Sequence, residues 1–338
     1  MTHAAPTPAG GADILVTGAG GFLGSHLTAR LAGRGEHVRA LVPPHEEARY
    51  LESFGVEIFR GDVRDPVATD SAASGCRLVY HLASRTQNVG GRMRDFKRDN
   101  VHGTACVARA ALRVGAERLV LASSSAVYGR RRDHSINEET EARPSTPYGK
   151  SKLLAERAAL ERHSVDGLPV VVARIVPVLG ARARSWLGLF QAVASGRFRL
   201  IGSGNGLHHP AGVADIVDGL MLCAERGLDG RSYVLAGKEP VSLRRMMELI
   251  AADVRVELGP ATPAPPLVVY RLAGKLVPDV IPLPRLDRVE FFLNDRACDI
   301  SRARAELGYA PRVGIRDAIR ETGDWYRAGG QLPALDPT

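Results

Sequence analysis

Ala12-Asp13-Ile14-Leu15-Val16-Thr17-Gly18-Ala19-Gly20-Gly21-Phe22-Leu23-Gly24 joins an apolar run to the start of a helical pattern through a cluster of glycines. Ala12 to Thr17 reads as a short buried strand, and Phe22 to Arg34 as a helix. Glycines at 18, 21 and 24 let the chain turn tightly, let backbone approach a pyrophosphate, and let the helix pack on the strand. The helix opened by Phe22 and Leu23 offers free N–H groups and a positive dipole end to phosphates. A glycine pattern alone is weak, but strand, glycines and helix in this order point to dinucleotide binding.

The alternation continues outward from there. Val38 to Val42 reads as a second strand, Val56 to Phe59 as a third and Leu78 to Leu82 as a fourth. Leu119 to Ala122 and Val170 to Ala173 give a fifth and a sixth, with a long helix expected from about Phe96 to Val114. Strands alternating with helices mean a parallel sheet covered on both faces, with ligand at the carboxyl ends of the strands. The predicted fold is therefore α/β, a Rossmann-type doubly wound parallel sheet. Residues 12–174 form this dinucleotide-binding domain, and 175–330 predominantly a smaller C-terminal substrate lobe. Residues 1–11, rich in Ala, Pro and Gly without a basic region or apolar core, read as a flexible tail and not a signal peptide.

Composition narrows the class. The 338 residues are 45% hydrophobic and 24% charged, ordinary for a soluble globular protein. The net charge of +8 comes from arginines scattered among alanines and acids, which predicts a solvated surface and no nucleic-acid groove. Cys76, Cys106, Cys223 and Cys298 are far apart and lack metal spacing, so a reducing cytoplasm and no metal are expected. No apolar run is long enough to span a membrane.

Pro147-Tyr148-Gly149-Lys150-Ser151-Lys152 reads as a helix start. Tyr148 and Lys152, four apart, stand on one face of it. A neighbouring ammonium favours the phenolate, so this pair suits proton transfer near neutral pH.

The glycine turn, Asp62-Val63, His81-Leu82-Ala83, Asn100, Ser123-Ser124-Ser125-Ala126-Val127-Tyr128-Gly129 and Tyr148-Gly149-Lys150-Ser151-Lys152 occur in one order. Together they resemble the extended short-chain dehydrogenase/reductase family of nucleotide-sugar epimerases and dehydratases and 3β-hydroxysteroid dehydrogenase-like enzymes. Asp299-Ile300-Ser301-Arg302-Ala303, Leu307-Gly308-Tyr309 with Pro311, and Trp325-Tyr326 resemble that family's closing segment. The resemblance implies an NAD- or NADP-dependent enzyme acting on a small molecule. In it, Gly18, Gly21, Phe22, Leu23 and Gly24 hold the diphosphate. Asp62 and Val63 meet adenine, and Leu82 and Ala83 lie along the cofactor. Asn100 orders the active-site region. Tyr148 is the catalytic acid or base, and Lys152 its partner, reaching the nicotinamide ribose. Counting back four residues from Tyr128 makes Ser124 the catalytic hydroxyl.

Departures from the family pattern guide the reaction type. Dehydratases carry an Asp-Glu pair after the catalytic hydroxyl, and related decarboxylases a glutamate; here Ser125-Ala126 stand there. Alcohol/ketone interconversion remains, either ending there or returning hydride to the other face. The second strand runs into Val42-Pro43-Pro44-His45-Glu46-Glu47, with neither an acid nor a base at the expected place, so NAD against NADP stays open. Arg174 and Ser125 are expected at the substrate. His208 occupies the place of an arginine that usually grips a sugar nucleotide's diphosphate, and Arg182, Arg184, Arg197 or Arg231 would have to compensate. The leading expectation is a nucleotide-sugar 4-epimerase-like enzyme working through a transient ketone. The alternatives are a 3β-hydroxysteroid dehydrogenase-like or ketone reductase activity on an uncharged substrate, and a non-catalytic NAD(P)-sensing protein. A sensor would not need Ser124, Tyr148 and Lys152 together. Pro260 to Pro266 is expected to link to an apolar part, Leu267 to Leu276, which with Phe291-Phe292 would cover substrate or meet a second subunit in a homodimer.

Overall fold

The computed structural model describes residues 13–130, 135–200, 202–261 and 295–335. The expected tail at 1–11, the apolar part at 267–276 and Phe291-Phe292 lie outside the described residues. The chain opens β1 (Ile14–Thr17), α1 (Phe22–Ala32), β2 (Val38–Val42), α2 (Arg49–Glu52), β3 (Glu57–Arg60), α3 (Pro66–Ala73) and β4 (Leu78–His81). It continues α4 (Met93–Phe96), a widened π-helical stretch at 97–102, α5 (Gly103–Arg113), β5 (Arg118–Ser124), α6 (Pro147–Asp166) and β6 (Val170–Ile175). Then come β7 (Val178–Leu179), α7 (Leu187–Ala194), β8 (Leu207–His208), β9 (Ala211–Gly212), α8 (Val213–Arg226), β10 (Ser232–Leu235), β11 (Val241–Ser242) and α9 (Leu243–Asp253).

Seven strands form one sheet in the order β10-β6-β5-β4-β1-β2-β3, every neighbour parallel. Strands buried on both faces read as continuous apolar runs, which makes the inner strands legible in the sequence, while the edge strand β3 shows only Ile58 and Phe59 between charged ends. Alternate side chains go to opposite faces: Ile14, Val16 and Val120 join one buried cluster, and Leu15, Leu119 and Leu121 the other. The strand order reverses between β1 and β4, opening the crevice where a doubly wound sheet takes its ligand. The seventh strand, β10, comes from the range assigned to the lobe, as does α8, whose Ile216, Val217 and Leu220 join the same cluster as Ile14. The rest of that range builds a separate core around Trp186, Phe190, Met246, Ile250 and Tyr326.

The long helix begins at Met93 instead of Phe96 and is not uniform, because the turn at 97–102 takes in an extra residue. Such widened turns recur at functional sites. Here it carries Asn100, whose side chain is buried.

Candidate active site

The glycine turn admits only backbone. Gly18 has φ +67°, and a Cβ on it would lie 2.6 Å from the Ala83 nitrogen. A Cβ on Gly24 would overlap the Gly18 carbonyl oxygen. The end of β1, the start of α1 and Leu82-Ala83 at the end of β4 therefore share one concave surface. Gly21 precedes α1 without a capping side chain, leaving the first-turn N–H groups, those of Phe22 and Leu23 among them, to meet phosphate oxygens. This cradle fits a dinucleotide's pyrophosphate.

Asp62 follows β3 and is held by Arg64, whose main-chain N–H donates to Oδ1 at 2.8 Å and whose guanidinium spans both oxygens. These hydrogen bonds keep its carboxyl below the usual carboxylate range, so it is an ionised acceptor. Val63 lies against Gly103 of α5, where a Cβ would sit 3.1 Å from its methyl group. Beneath the turn, His81 bonds Thr17 at 2.7 Å and Thr104 at 2.9 Å. Burial pushes its imidazole down to about 3, so it is a neutral strut between β1, β4 and α5. The second strand ends without an acid, yet the Glu46 carboxylate reaches back to lie against Gly20. Arg60 donates to the Pro43 and Glu46 carbonyls and fixes that loop.

The Tyr148 helix starts where the sequence predicts. Thr146 caps it by accepting from the Gly149 N–H at 3.1 Å, and Pro147 supplies the first-turn geometry. Gly149 presses so closely on the Ala126 carbonyl that a Cβ would not fit, which brings α6 against the turn at 125–128. The three serines then go three ways. Ser123 donates to Glu156, Ser124 lies near enough to the Tyr148 phenol to act on its proton, and Ser125 is buried in the wall of a cleft. Ser124 also accepts from the Ala126 N–H at 3.1 Å, which fixes its side chain. Among the three it is Ser124 that meets Tyr148, the assignment made by counting back from Tyr128.

Tyr148 and Lys152 share the buried side of α6, but the lysine does not point at the phenol. Its Nζ donates to the Ala122 carbonyl at 2.6 Å and to Ser84 Oγ at 3.4 Å. Burial raises the Tyr148 phenol above its ordinary value, against the opposing Ser124 bond. Burial pushes the Lys152 ammonium down to about 8, opposed by Glu156. The lowering expected from the lysine is absent: burial raises the phenol and Ser124 is the group that opposes it, so Tyr148 rests as a neutral phenol. Asn100 ties the site together. Its Oδ1 accepts from the Arg85 N–H at 2.7 Å, and its Nδ2 donates to the Arg85 carbonyl and to Ser151.

Arg174 is not among the residues lining the cleft. Its guanidinium pairs with Glu156 at 2.9 Å and donates to the Tyr128 hydroxyl at 3.1 Å and the Glu138 carbonyl at 3.3 Å. The narrow cleft beyond Ser125 is walled by Ile136, Val176, Trp186 and Met246, with His208 and Arg296. Burial pushes the His208 imidazole down to about 4, so it is neutral. Arg182, Arg184, Arg197 and Arg231 do not line the cleft; Arg182 stacks over Tyr50 at 4.2 Å instead. The cationic wall residue is Arg296, which donates to the Gly129 carbonyl at 2.7 Å. Arg296, Trp186 and Met246 come from segments far apart in sequence, and no local pattern marks them. Glu156 carried a signal, an acid one turn past Lys152 on the same face.

Residues 14–236 match the sequence model of the NAD dependent epimerase/dehydratase family. A Stigmatella aurantiaca protein, 4-hydroxy-2-methyl-3-oxo-4-farnesyl-3,4-dihydroquinoline-1-oxide ketoreductase, is 31% identical over 321 residues, 91% of this chain and 96% of the relative. The 3 beta-hydroxysteroid dehydrogenase/Delta 5-->4-isomerase of Mycobacterium tuberculosis is 27% identical, over 93% of this chain and 90% of the relative. Among solved structures, MoeE5 in complex with UDP-glucuronic acid and NAD superposes with a TM-score of 0.75 at 28% identity, covering 94% of this chain and all of that one.

Proposed function

The chain belongs to the NAD dependent epimerase/dehydratase family of extended short-chain dehydrogenase/reductase enzymes, and from that premise we propose a ketone/secondary-alcohol oxidoreductase for a substrate with an apolar body. The observation that carries this reading is His208. At the place expected to grip a diphosphate it is a buried, neutral imidazole in a largely apolar wall. A neutral ring is a poor phosphate clamp beside a charged, bidentate guanidinium. The similarity to a ketoreductase whose named substrate carries a farnesyl chain supports the same reading. The four free thiols suit a reducing cytoplasm.

Gly18, Gly21, Phe22, Leu23, Gly24, Asp62, Val63, Leu82 and Ala83 would hold the cofactor, with Tyr148 and Lys152 at its nicotinamide end. When bound, the nicotinamide supplies or takes up the hydride. Tyr148, resting as a neutral phenol, gives its hydroxyl proton to the carbonyl oxygen as that oxygen gains negative charge. Ser124, its side chain fixed by the Ala126 N–H and close to Tyr148, donates its hydroxyl hydrogen to the same oxygen. The Lys152 ammonium, turned to the Ala122 carbonyl on the same side of α6, acts on the phenolate left behind through its charge and not through a hydrogen bond.

A second reading, the nucleotide-sugar 4-epimerase, draws on Arg296, a permanent cation in the same wall. Turnover with NADH and 3-ketosteroids or long-chain 3-ketoesters separates the two from UDP-hexoses deuterated at C4. Net oxidation of NADH with the apolar ketones is the expected result. A C4-inverted sugar with its deuterium retained, and no reaction with the ketones, would overturn the proposal.

A further inference from the structure

Behind the Ser124–Tyr148–Lys152 group lies a buried ionic network that joins Arg174 to Glu156, a residue outside the expected site. Glu156 is 1% exposed, one helical turn past Lys152 on α6. Its carboxylate accepts from Ser123 Oγ at the end of β5 and from Arg174 Nε at 3.2 Å and Nη2 at 2.9 Å on β6. Arg174 in turn reaches the Tyr128 hydroxyl and lies over that ring at 5.2 Å. The strand end that positions Ser124, the turn that follows it and the helix that carries Tyr148 are thus tied to one carboxylate. An ion pair this deep is rarely kept for stability, since apolar residues of similar size hold a core as well. Its place beside the lysine gives it another use.

We propose that Glu156 is a positioning residue for the proton-transfer group: with Arg174 it clamps the end of β5 that carries Ser124, and from one helical turn away on the buried side of α6 its carboxylate balances the charge of Lys152. This rests on the oxidoreductase reading for its consequence, though not for its physics. Among the described residues, the ionisable groups around Lys152 are few. Tyr148 and Glu156 come from its own helix, Arg174 from β6 is bound to Glu156, and His81 from β4 is neutral. The Ala122 carbonyl and Ser84 hydroxyl complete the surroundings. Glu156 is the negative charge that offsets the burial of the lysine, whose ammonium gives way at about 8.

The chain has only five lysines, so protein labelled with ¹³C at lysine Cε gives a readable NMR titration, with the Lys152 signal assigned by its loss in Lys152→Met. Glu156→Gln keeps the shape and removes the charge. The Lys152 midpoint should fall by about one pH unit, the scale of a carboxylate a helical turn away in a protein interior. In the reductive direction, the high-pH limb of kcat/KM should move down by the same interval. Glu156→Gln leaves Arg174 buried without its partner, so Glu156→Leu combined with Arg174→Met provides a variant without that burden, and the midpoint should fall there too. An unchanged midpoint in the folded variants overturns the proposal. A lowered midpoint in a protein without ketone reductase activity upholds it and overturns the functional reading alone, because the titration needs no substrate.

Discussion

The nucleotide end and the substrate end of this molecule are built by different means. At the nucleotide end, backbone meets backbone: Gly18 against Ala83, Gly24 against Gly18, Gly149 against Ala126. Each contact demands one residue type at one position, so the chemistry is written in short, ordered motifs. At the proposed substrate end, side chains converge from Ser125, Ile136, Trp186, His208, Met246 and Arg296. The lesson is that the first end fixes what the reaction is, and the second fixes what it acts upon.

The sharpest test of the first half is Tyr148→Phe. The ring remains packed edge-on against Phe96, with centroids 6.3 Å apart, and only the hydroxyl is lost. The variant should fold and bind cofactor normally, and lose at least about a hundredfold in turnover, the lower range for a proton-transfer group. Stopped-flow turnover beside a cofactor titration reads both quantities. Turnover within a few-fold of normal would remove Tyr148 from the chemistry and break the comparison at its stronger side.

Legibility followed the same division. The strands and the glycine turn could be read because burial on both faces and close backbone approach leave few acceptable residues. Ser124 could be singled out from three adjacent serines by its spacing from Tyr128, and in the structure it is the one that meets Tyr148. Arg174 could be picked out as important, but not where it points. The sequence has no mark saying that its partner is Glu156, on the helix before it. The widening of the helix at Asn100 was also invisible, since one extra residue in a turn leaves the apolar spacing almost unaltered. Arg296 was missed because its place in the wall depends on a long return of the chain, with its N–H bonded to the Leu207 carbonyl.

Glu46 sharpens the comparison from the boundary between the two kinds of construction. An acid at the end of β2 ordinarily takes the ribose hydroxyls, and here that strand ends in Val42 and two prolines. The carboxylate arrives instead from Glu46, laid against Gly20. A 2′-phosphate brought there would meet a like charge, so NAD should be preferred to NADP. Glu46→Gln should narrow that preference by about tenfold, roughly the 1.4 kcal/mol of one charge interaction at a partly exposed site. Dissociation constants for both cofactors, in both proteins, measure it. An unchanged ratio would mean that another residue reads the ribose.

The smallest expected effect belongs to His208, and its smallness is the point. If the substrate end were built for a diphosphate, a guanidinium at this position would complete it. His208→Arg should then tighten UDP by tenfold or more, as a charge-assisted, bidentate contact does. The surroundings argue otherwise. The side chain is 4% exposed, in a wall shared with Trp186 and Met246, and Arg296 already places a positive charge beside it. A second guanidinium there meets both a desolvation cost and a like charge. UDP affinity measured by calorimetry should therefore change by less than about threefold, within roughly 0.6 kcal/mol. Tightening of tenfold would return a diphosphate to this cleft and, with it, the epimerase reading. A change within the narrower limit leaves an apolar substrate as the occupant for which the wall is made.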